Sequence, residues 1–154
     1  MKMTENDMRI FHDILKPYLT HAEVQKMRDY IAHGKITVLR HSLDVAKEAY
    51  LLNKKYGWNA DLHTLLVGAL LHDFYGYDWH SRPLSWNIFK MHGFTHPEAA
   101  RKHASEVFGV DEKIQNVIVS HMWPLTLRSF PQSKEARIIC LADKICATKE
   151  TVFR

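Results

Sequence analysis

The feature that most constrains this chain is a run of apolar residues that ends in two side chains able to bind a metal ion. Residues 62–71, LHTLLVGALL, are almost entirely apolar, which predicts a helix buried at the centre of a domain. His72 and Asp73 follow directly. Burying an imidazole and a carboxylate is unfavourable unless a partner satisfies them. A bound cation would do so, and the pattern therefore favours a metal site inside the domain.

Other histidines and aspartates are predicted to face the same interior. His41 shares a helical face with Val45, and His121 shares one with Val117. Taken singly, such a histidine is most often a core residue bonded to a carbonyl, but here several elements each contribute one. Imidazole nitrogens and carboxylate oxygens together suit Zn, Mn or Fe, and an aspartate can bridge two ions. The converging residues are His41, His72, Asp73, His96, His121 and Asp143.

Length, composition and charge narrow the function classes. At 154 residues, with 46% hydrophobic and 25% charged content, the chain predicts one globular domain. It has no apolar stretch of the roughly 18 residues that a membrane span needs, and its first residues lack the order of a secretory signal. We therefore expect a cytoplasmic protein with no membrane partner. The mild net charge of +4 is not clustered, which favours an anionic small molecule over nucleic acid.

Hydrophobic periodicity predicts helices and no strands, so the expected fold class is all-α. The predicted helices cover residues 4–19, 20–34, 37–56, 61–73, 95–109, 111 to about 122, and 133 onward. Thr20 and Glu23 predict a capping box, whereas Thr37, Asp111 and Ser133 are the expected caps of later helices. Cys140 and Cys146 lie six residues apart in the last helix, on different faces, and are expected to be unpaired.

One long stretch is irregular. Residues 76–94 contain two Trp, one Pro and two Gly, and a segment of this length in a compact domain is often functional. We expect it to cover the mouth of the metal site. The remaining histidines predict no ligand, because they lie on polar faces or at helix ends; they are His12, His21, His33, His63 and His103.

The chain resembles the HD-domain superfamily of metal-dependent phosphohydrolases over residues 37–148. The resemblance rests on five motifs in the family order, which are RHSLDVA around His41, ALLHD ending at Asp73, HPEAA at His96, VSH at His121 and LADK around Asp143. It implies a compact helical bundle with a central metal site. Residues 1–154 would then be a single HD domain, with a core of about 37–148 and N-terminal helices within 4–33.

The resemblance also implies which residues bind the metal. One ion would be held by His41, His72, Asp73 and Asp143. His96 and His121 match the extra histidines of dinuclear members, in which the aspartate at Asp73 bridges two ions. The implied cofactor is therefore a pair of divalent transition-metal ions, Fe or Mn, with Zn, Ni or Mg as alternatives.

The chain departs from the family pattern at one position. Many members continue HD-x-x-Lys, and that lysine contacts substrate phosphate, whereas Gly76 takes its place here. Lys144, beside Asp143, is a candidate replacement, and together with His80 it is predicted to bind phosphate or protonate the leaving group. Further candidate substrate contacts are Arg82, Arg128 and His92, of which His92 is also an alternative metal ligand.

These residues predict hydrolysis of a phosphoester or phosphoanhydride bond in a small, nucleotide-like substrate. Metal-activated water would be the nucleophile, so no Ser or Cys nucleophile is required. Asp73 would position that water as the bridging carboxylate. Two alternatives remain open, namely a di-iron oxygenase that uses the same ligands with dioxygen, and a regulatory module that senses a nucleotide. A complete ligand set argues against the sensor.

Overall fold

The computed structural model describes residues 1–81 and 92–153, and in these residues it confirms an all-α fold with one small antiparallel sheet. The α-helices are α1 (Glu5–Leu19), α2 (Ala22–Gln25), α3 (Val38–Tyr56), α4 (Leu62–Leu71), α5 (His92–Phe108), α6 (Glu112–Ser120) and α7 (Lys134–Val152). The two strands are β1 (Ile31–His33) and β2 (Ile36–Thr37). Short 3-10 turns cover Lys26–Arg28 and Trp79–Ser81.

Helix α4 is the central element of the fold, as its apolar sequence predicts. Residues 64–71 are all buried, and α4 packs against α1, α3, α6 and α7. Gly68 allows a close approach, because a Cβ at this position would lie 2.7 Å from a methyl group of Val117 in α6 and 3.4 Å from Ile139 in α7. The C-cap of α4 is His72. The helix therefore delivers the His-Asp pair to the middle of the bundle.

Polar caps fix where three of the helices begin. Thr37, Asp111 and Ser133 each accept a hydrogen bond from a backbone N–H in the first turn of α3, α6 and α7 respectively. At the other end of α3, Gly57 adopts the left-handed conformation with φ 62°, which is the common way to end a helix. The three predicted caps are confirmed.

The prediction of one helix over residues 20–34 is wrong. Helix α2 ends at Gln25, and a 3-10 turn and strand β1 follow. The predicted capping box is also absent from this segment as the structure describes it. His21 rather than Thr20 caps α2, by accepting a hydrogen bond at Nδ1 from the backbone N–H of Glu23.

The reason for this difference lies in tertiary contacts. Val24 and Met27 are buried, as the helical spacing predicts, but a short helical segment already achieves that. Gly34, at φ 57°, then turns the chain so that β1 and β2 pair. The indole N–H of Trp79 donates to the carbonyl of Ile31 and holds the hairpin against a distant part of the chain.

Helix α5 begins at His92, three residues before the predicted start at Thr95. Pro97 therefore lies inside the helix rather than at its first position. Because proline lacks an N–H, it leaves only one carbonyl of the first turn without a helical partner. A helix tolerates proline this close to its beginning. The position of the proline therefore predicted a start three residues after the actual one.

The irregular segment is described only in part. Residues 76–81 include the 3-10 turn, whereas residues 82–91, and with them the candidate Arg82, lie outside the described residues. Cys140 and Cys146 are buried and unpaired, as predicted. Among the helices of the described ranges, none combines the length and apolarity that a bilayer crossing requires.

Candidate metal centre

The structure brings all six predicted metal ligands together in the interior of the bundle. His41 comes from α3, His72 and Asp73 from the end of α4, His96 from α5, His121 from the end of α6 and Asp143 from α7. The four histidines and Asp143 are buried, and the side chain of Asp73 is 12% exposed. Five helices thus contribute to one cluster.

The first half-site consists of His41, His72, Asp143 and the Oδ2 atom of Asp73. Nε2 of His41 lies 3.0 Å from Oδ1 of Asp143, and Nε2 of His72 lies 3.5 Å from the same oxygen. Oδ2 of Asp73 is 3.4 Å from Nε2 of His72 and 3.8 Å from Nε2 of His41. Two nitrogens and two carboxylate oxygens therefore face a common point.

The second half-site consists of His96, His121 and the other oxygen of Asp73. Oδ1 of Asp73 lies 3.2 Å from Nε2 of His96 and 3.4 Å from Nε2 of His121. The two Nε2 atoms are 2.9 Å apart. Ligand atoms on one transition-metal ion, with bonds of about 2.0–2.2 Å, have similar separations. Asp73 faces both half-sites, with one oxygen in each.

Each ligand histidine is oriented by a hydrogen bond at its other ring nitrogen. The Nδ1 atoms of His72, His96 and His121 lie 2.6, 2.7 and 2.6 Å from the backbone oxygens of Ala69, His92 and Ile118. A carbonyl oxygen only accepts, so these Nδ1 atoms must donate. In a neutral ring the proton is then on Nδ1, and Nε2 presents its lone pair to the centre, as in known metal sites.

These hydrogen bonds make the interior of the cluster suitable for bound cations. With their protons on Nδ1, His96 and His121 present two lone pairs to each other at 2.9 Å, an arrangement that is repulsive without a positive charge between them. Nε2 of His72 and Oδ1 of Asp73 are buried and have no hydrogen-bond partner among the described residues. Such atoms are costly to bury unsatisfied. One of them lies in each half-site.

The electrostatics of the cluster also favour positive charge. Burial alone would lower the pKa of His41, but the hydrogen bonds to Asp143 and Glu150 outweigh burial and raise this pKa to about 10. Burial would raise the pKa of Asp73, yet the charge of His72 holds it well below its usual value. The carboxylates therefore remain ionised in the interior.

Sequence analysis missed two residues next to the first half-site. Glu150 bonds to Nδ1 of His41 through both carboxylate oxygens, at 2.9 and 3.0 Å. His33, from β1, packs edge-on against His41 with ring centroids 5.2 Å apart, although its position predicted no role. The available signal for Glu150 was its spacing, because it follows Asp143 by seven residues and so shares a helical face with it.

His92 lies beside the cluster rather than in it. Its ring stacks on that of His96, with centroids 4.5 Å apart, and Trp79 stacks on it in turn at 4.7 Å. Nδ1 of His92 is 3.2 Å from the hydroxyl of Tyr77. The column of rings thus supports His96. Among the described residues, His92 belongs to none of the groups that are close enough to hold a metal ion.

The other candidate substrate contacts have different surroundings. Lys144 is next to it, since its Nζ lies 3.3 Å from the backbone oxygen of His121 and 3.0 Å from Sγ of Cys140. His80 is exposed, with its ring against Trp79. Arg128 is exposed in the connection between α6 and α7. Of these three candidates, Lys144 is the one with a described contact to the backbone of a predicted ligand.

Comparison with known protein families agrees with this geometry. Residues 38–148 match the model of the HD domain, and the chain therefore belongs to the HD-domain family, which includes many metal-dependent phosphohydrolases. The matched range contains all six predicted ligands. Neither the comparison with curated proteins nor the comparison with solved structures gives a match.

Proposed function

We propose that this protein is a phosphohydrolase that uses two divalent transition-metal ions to cleave a phosphoester or phosphoanhydride bond in a small anionic substrate. The observation that carries the proposal is the position of Asp73 between two sets of histidines. Its Oδ2 faces His41 and His72, and its Oδ1 faces His96 and His121. A carboxylate in this position is suited to bridging two ions.

The ligand set determines what charge the site would present to a substrate. Asp73 and Asp143 contribute two negative charges, whereas two divalent ions would contribute four positive ones. The excess positive charge favours an anionic substrate. When bound, such ions would polarise a phosphoryl oxygen and lower the pKa of a water molecule toward neutrality. Among the six ligands, the side chain of Asp73 has the largest exposed fraction, 12%, so the cluster is most open at the bridging carboxylate.

Residues around the metal ions would orient the ligand side chains and bind the substrate. The Nδ1 hydrogen bonds keep the ligand rings turned to the centre, and the stack of Trp79 and His92 on His96 restricts the movement of one of them. Lys144 is exposed, and its ammonium group lies beside the second half-site. We propose that it contacts the phosphate of the substrate, in place of the lysine that Gly76 replaces.

The proposal is tested by assaying a panel of nucleotides and small phosphoesters under anaerobic conditions with Mn-loaded protein. Hydrolysis involves no redox change, so release of phosphate or nucleoside should proceed without dioxygen and with Mn as well as Fe. Protein stripped of metal should be inactive and recover on addition of Mn. No release from any compound, together with oxygen consumption by the Fe-loaded protein, would instead support an oxygenase.

A matched variant separates the site from the fold. Asp73→Asn keeps the volume of the side chain but removes the charge that faces both half-sites. We expect it to lose activity by several orders of magnitude, while the circular dichroism spectrum of the metal-free protein stays unchanged. Turnover near the wild-type rate in this variant would contradict the assignment of Asp73.

A further inference from the structure

Glu150 binds the far side of a metal ligand. It lies in α7 seven residues after Asp143, so the two carboxylates occupy the same face of that helix, two turns apart. Asp143 meets Nε2 of His41 at 3.0 Å, and Glu150 meets Nδ1 at 2.9 and 3.0 Å. One helix therefore holds both nitrogens of a single imidazole that belongs to α3.

This arrangement distinguishes His41 from the other three ligand histidines, whose Nδ1 atoms are held by neutral backbone carbonyls. A hydrogen bond to a carboxylate is charge-assisted and stronger. It also leaves more electron density on the imidazole, which increases the basicity of Nε2 as a ligand.

The position of Glu150 is unfavourable for the helix itself. Its side chain is only 10% exposed, and burying a carboxylate requires compensation. It also lies in the last turn of α7, which ends at Val152, where the helix dipole disfavours negative charge. The contact with His41 supplies a reason for a carboxylate at this place. Glu150 lies two residues beyond the range 38–148 that matches the family model, so the family match does not assign it a role.

We infer that Glu150 is a positioning residue of the first half-site. It fixes the proton of His41 on Nδ1, turns Nε2 toward the ion that Asp143 and His72 would share, and strengthens His41 as a ligand. This inference rests on the proposed metal centre. The inference concerns metal affinity and not the reaction, so the inference and the proposed hydrolase activity can fail separately.

The experiment measures Mn²⁺ binding in a background where only the first half-site is complete. His121→Ala removes a ligand of the second half-site, and Glu150→Gln is then added, which keeps the size of the side chain and one acceptor oxygen but removes the charge. We expect the affinity for the remaining ion to fall about 10- to 100-fold, the usual effect of losing such a partner. Glu48→Gln is the matched control, because Glu48 pairs with Lys149 of α7; its Mn²⁺ affinity should stay at the value of the background.

Two further measurements exclude a merely structural effect. In a His41→Ala background, Glu150→Gln should have no additional effect on metal binding, because the ring through which it acts is gone. The absorption spectrum of Co²⁺-loaded protein should change with Glu150→Gln and not with Glu48→Gln. Thermal unfolding of the metal-free variants reports any loss of fold directly.

The outcomes separate the inference from the proposed function. Wild-type protein that binds no transition metal would overturn both. Wild-type protein that binds two ions, with Glu150→Gln binding as tightly as its background, would overturn the inference alone. His33, Nδ1 of His41 and Glu150 also lie close enough together to hold an ion. A third Mn²⁺ that is lost in both His33→Ala and Glu150→Gln would show that Glu150 is a ligand and would likewise overturn the inference.

Discussion

Replacing Gly68 with alanine should destabilise the domain, although alanine is the better helix former. The new Cβ would lie 2.7 Å from Cγ1 of Val117 and 3.4 Å from Cδ1 of Ile139. The first distance is shorter than real carbon–carbon contacts allow. Val117 and Ile139 are both 0% exposed, so neither side chain can rotate into solvent. Helix α4 would therefore have to move away from α6.

The magnitude follows from two opposing effects. Overpacking a well-packed core costs about 1–3 kcal/mol, whereas glycine to alanine within a helix contributes about 1 kcal/mol of stability. A small displacement of α4 would relieve this single contact, so the middle of the first range applies. The net loss in the free energy of unfolding is then about 1 kcal/mol. Without the close contact, the same substitution would stabilise the protein. The sign of the change in the free energy of unfolding therefore tests whether the close contact exists.

Urea denaturation measures this change in the wild type, Gly68→Ala, Val117→Ala and the double variant. Val117→Ala removes the methyl group that the new Cβ meets. The double variant should therefore lose less free energy of unfolding than the two single variants lose together. Metal affinity of Gly68→Ala should also decrease, since Asp73 at the end of α4 and His121 at the end of α6 face each other in the second half-site. A Gly68→Ala protein that is as stable as the wild type, or effects that simply add, would refute the close-packing argument.

Three other variants test the metal ligands, the substrate contact and the stability of the fold. Wild-type protein should bind about two transition-metal ions per chain, and His121→Ala about one with the fold intact, which metal analysis after saturation with Mn²⁺ will check; a wild type that never exceeds one ion excludes the dinuclear centre. Lys144→Met should raise KM for the phosphorylated substrate about tenfold, since a charge-assisted contact is lost; unchanged steady-state kinetics would remove Lys144 from the substrate contacts. Asp7 accepts hydrogen bonds from Lys54 and Tyr50, and Lys54 in particular holds the pKa of Asp7 well below its usual value. The contribution of the ionised Asp7 side chain to stability is therefore complete above the unfolded-state pKa of about 3.9. This contribution is lost as the pH falls toward the lowered pKa of the folded state. Urea midpoints of wild type and Asp7→Asn should differ at neutral pH and converge in acid, and a difference that is independent of pH would contradict this account.

The sequence was sufficient to predict that the candidate ligands converge, because they lie at positions that local rules define. His41 and His121 share helical faces with apolar residues that are buried, and His72 follows an apolar run that forms the central helix. The caps Asp111 and Ser133 act through hydrogen bonds within their own first turns. Periodicity and capping are local properties, so they can be inferred without knowing the tertiary structure.

The features that were missed depend on contacts between distant parts of the chain. The hairpin of β1 and β2 replaces a predicted helix, and it is held in part by Trp79, which bonds to Ile31 across 48 positions of sequence. Glu150 reaches His41 across 109 positions. In sequence, the spacing of Glu150 places it on the helical face of Asp143, but this spacing does not distinguish a carboxylate that contacts another helix from a solvated one. Only the packing of α7 against α3 shows its partner.

The hydrogen bonds of the ligand rings have a consequence for how the site assembles. His72 and His121 donate to carbonyls three residues earlier, and His96 donates to one four residues earlier, so each bond exists as soon as its own helix has formed. Carbonyls in a final helical turn lack backbone partners, and the ring supplies one. His41 instead depends on Glu150, from the last helix. The second half-site, with Asp73, His96 and His121 at α4, α5 and α6, therefore needs no contact with α7, whereas the first half-site is complete only when the carboxyl-terminal helix is docked.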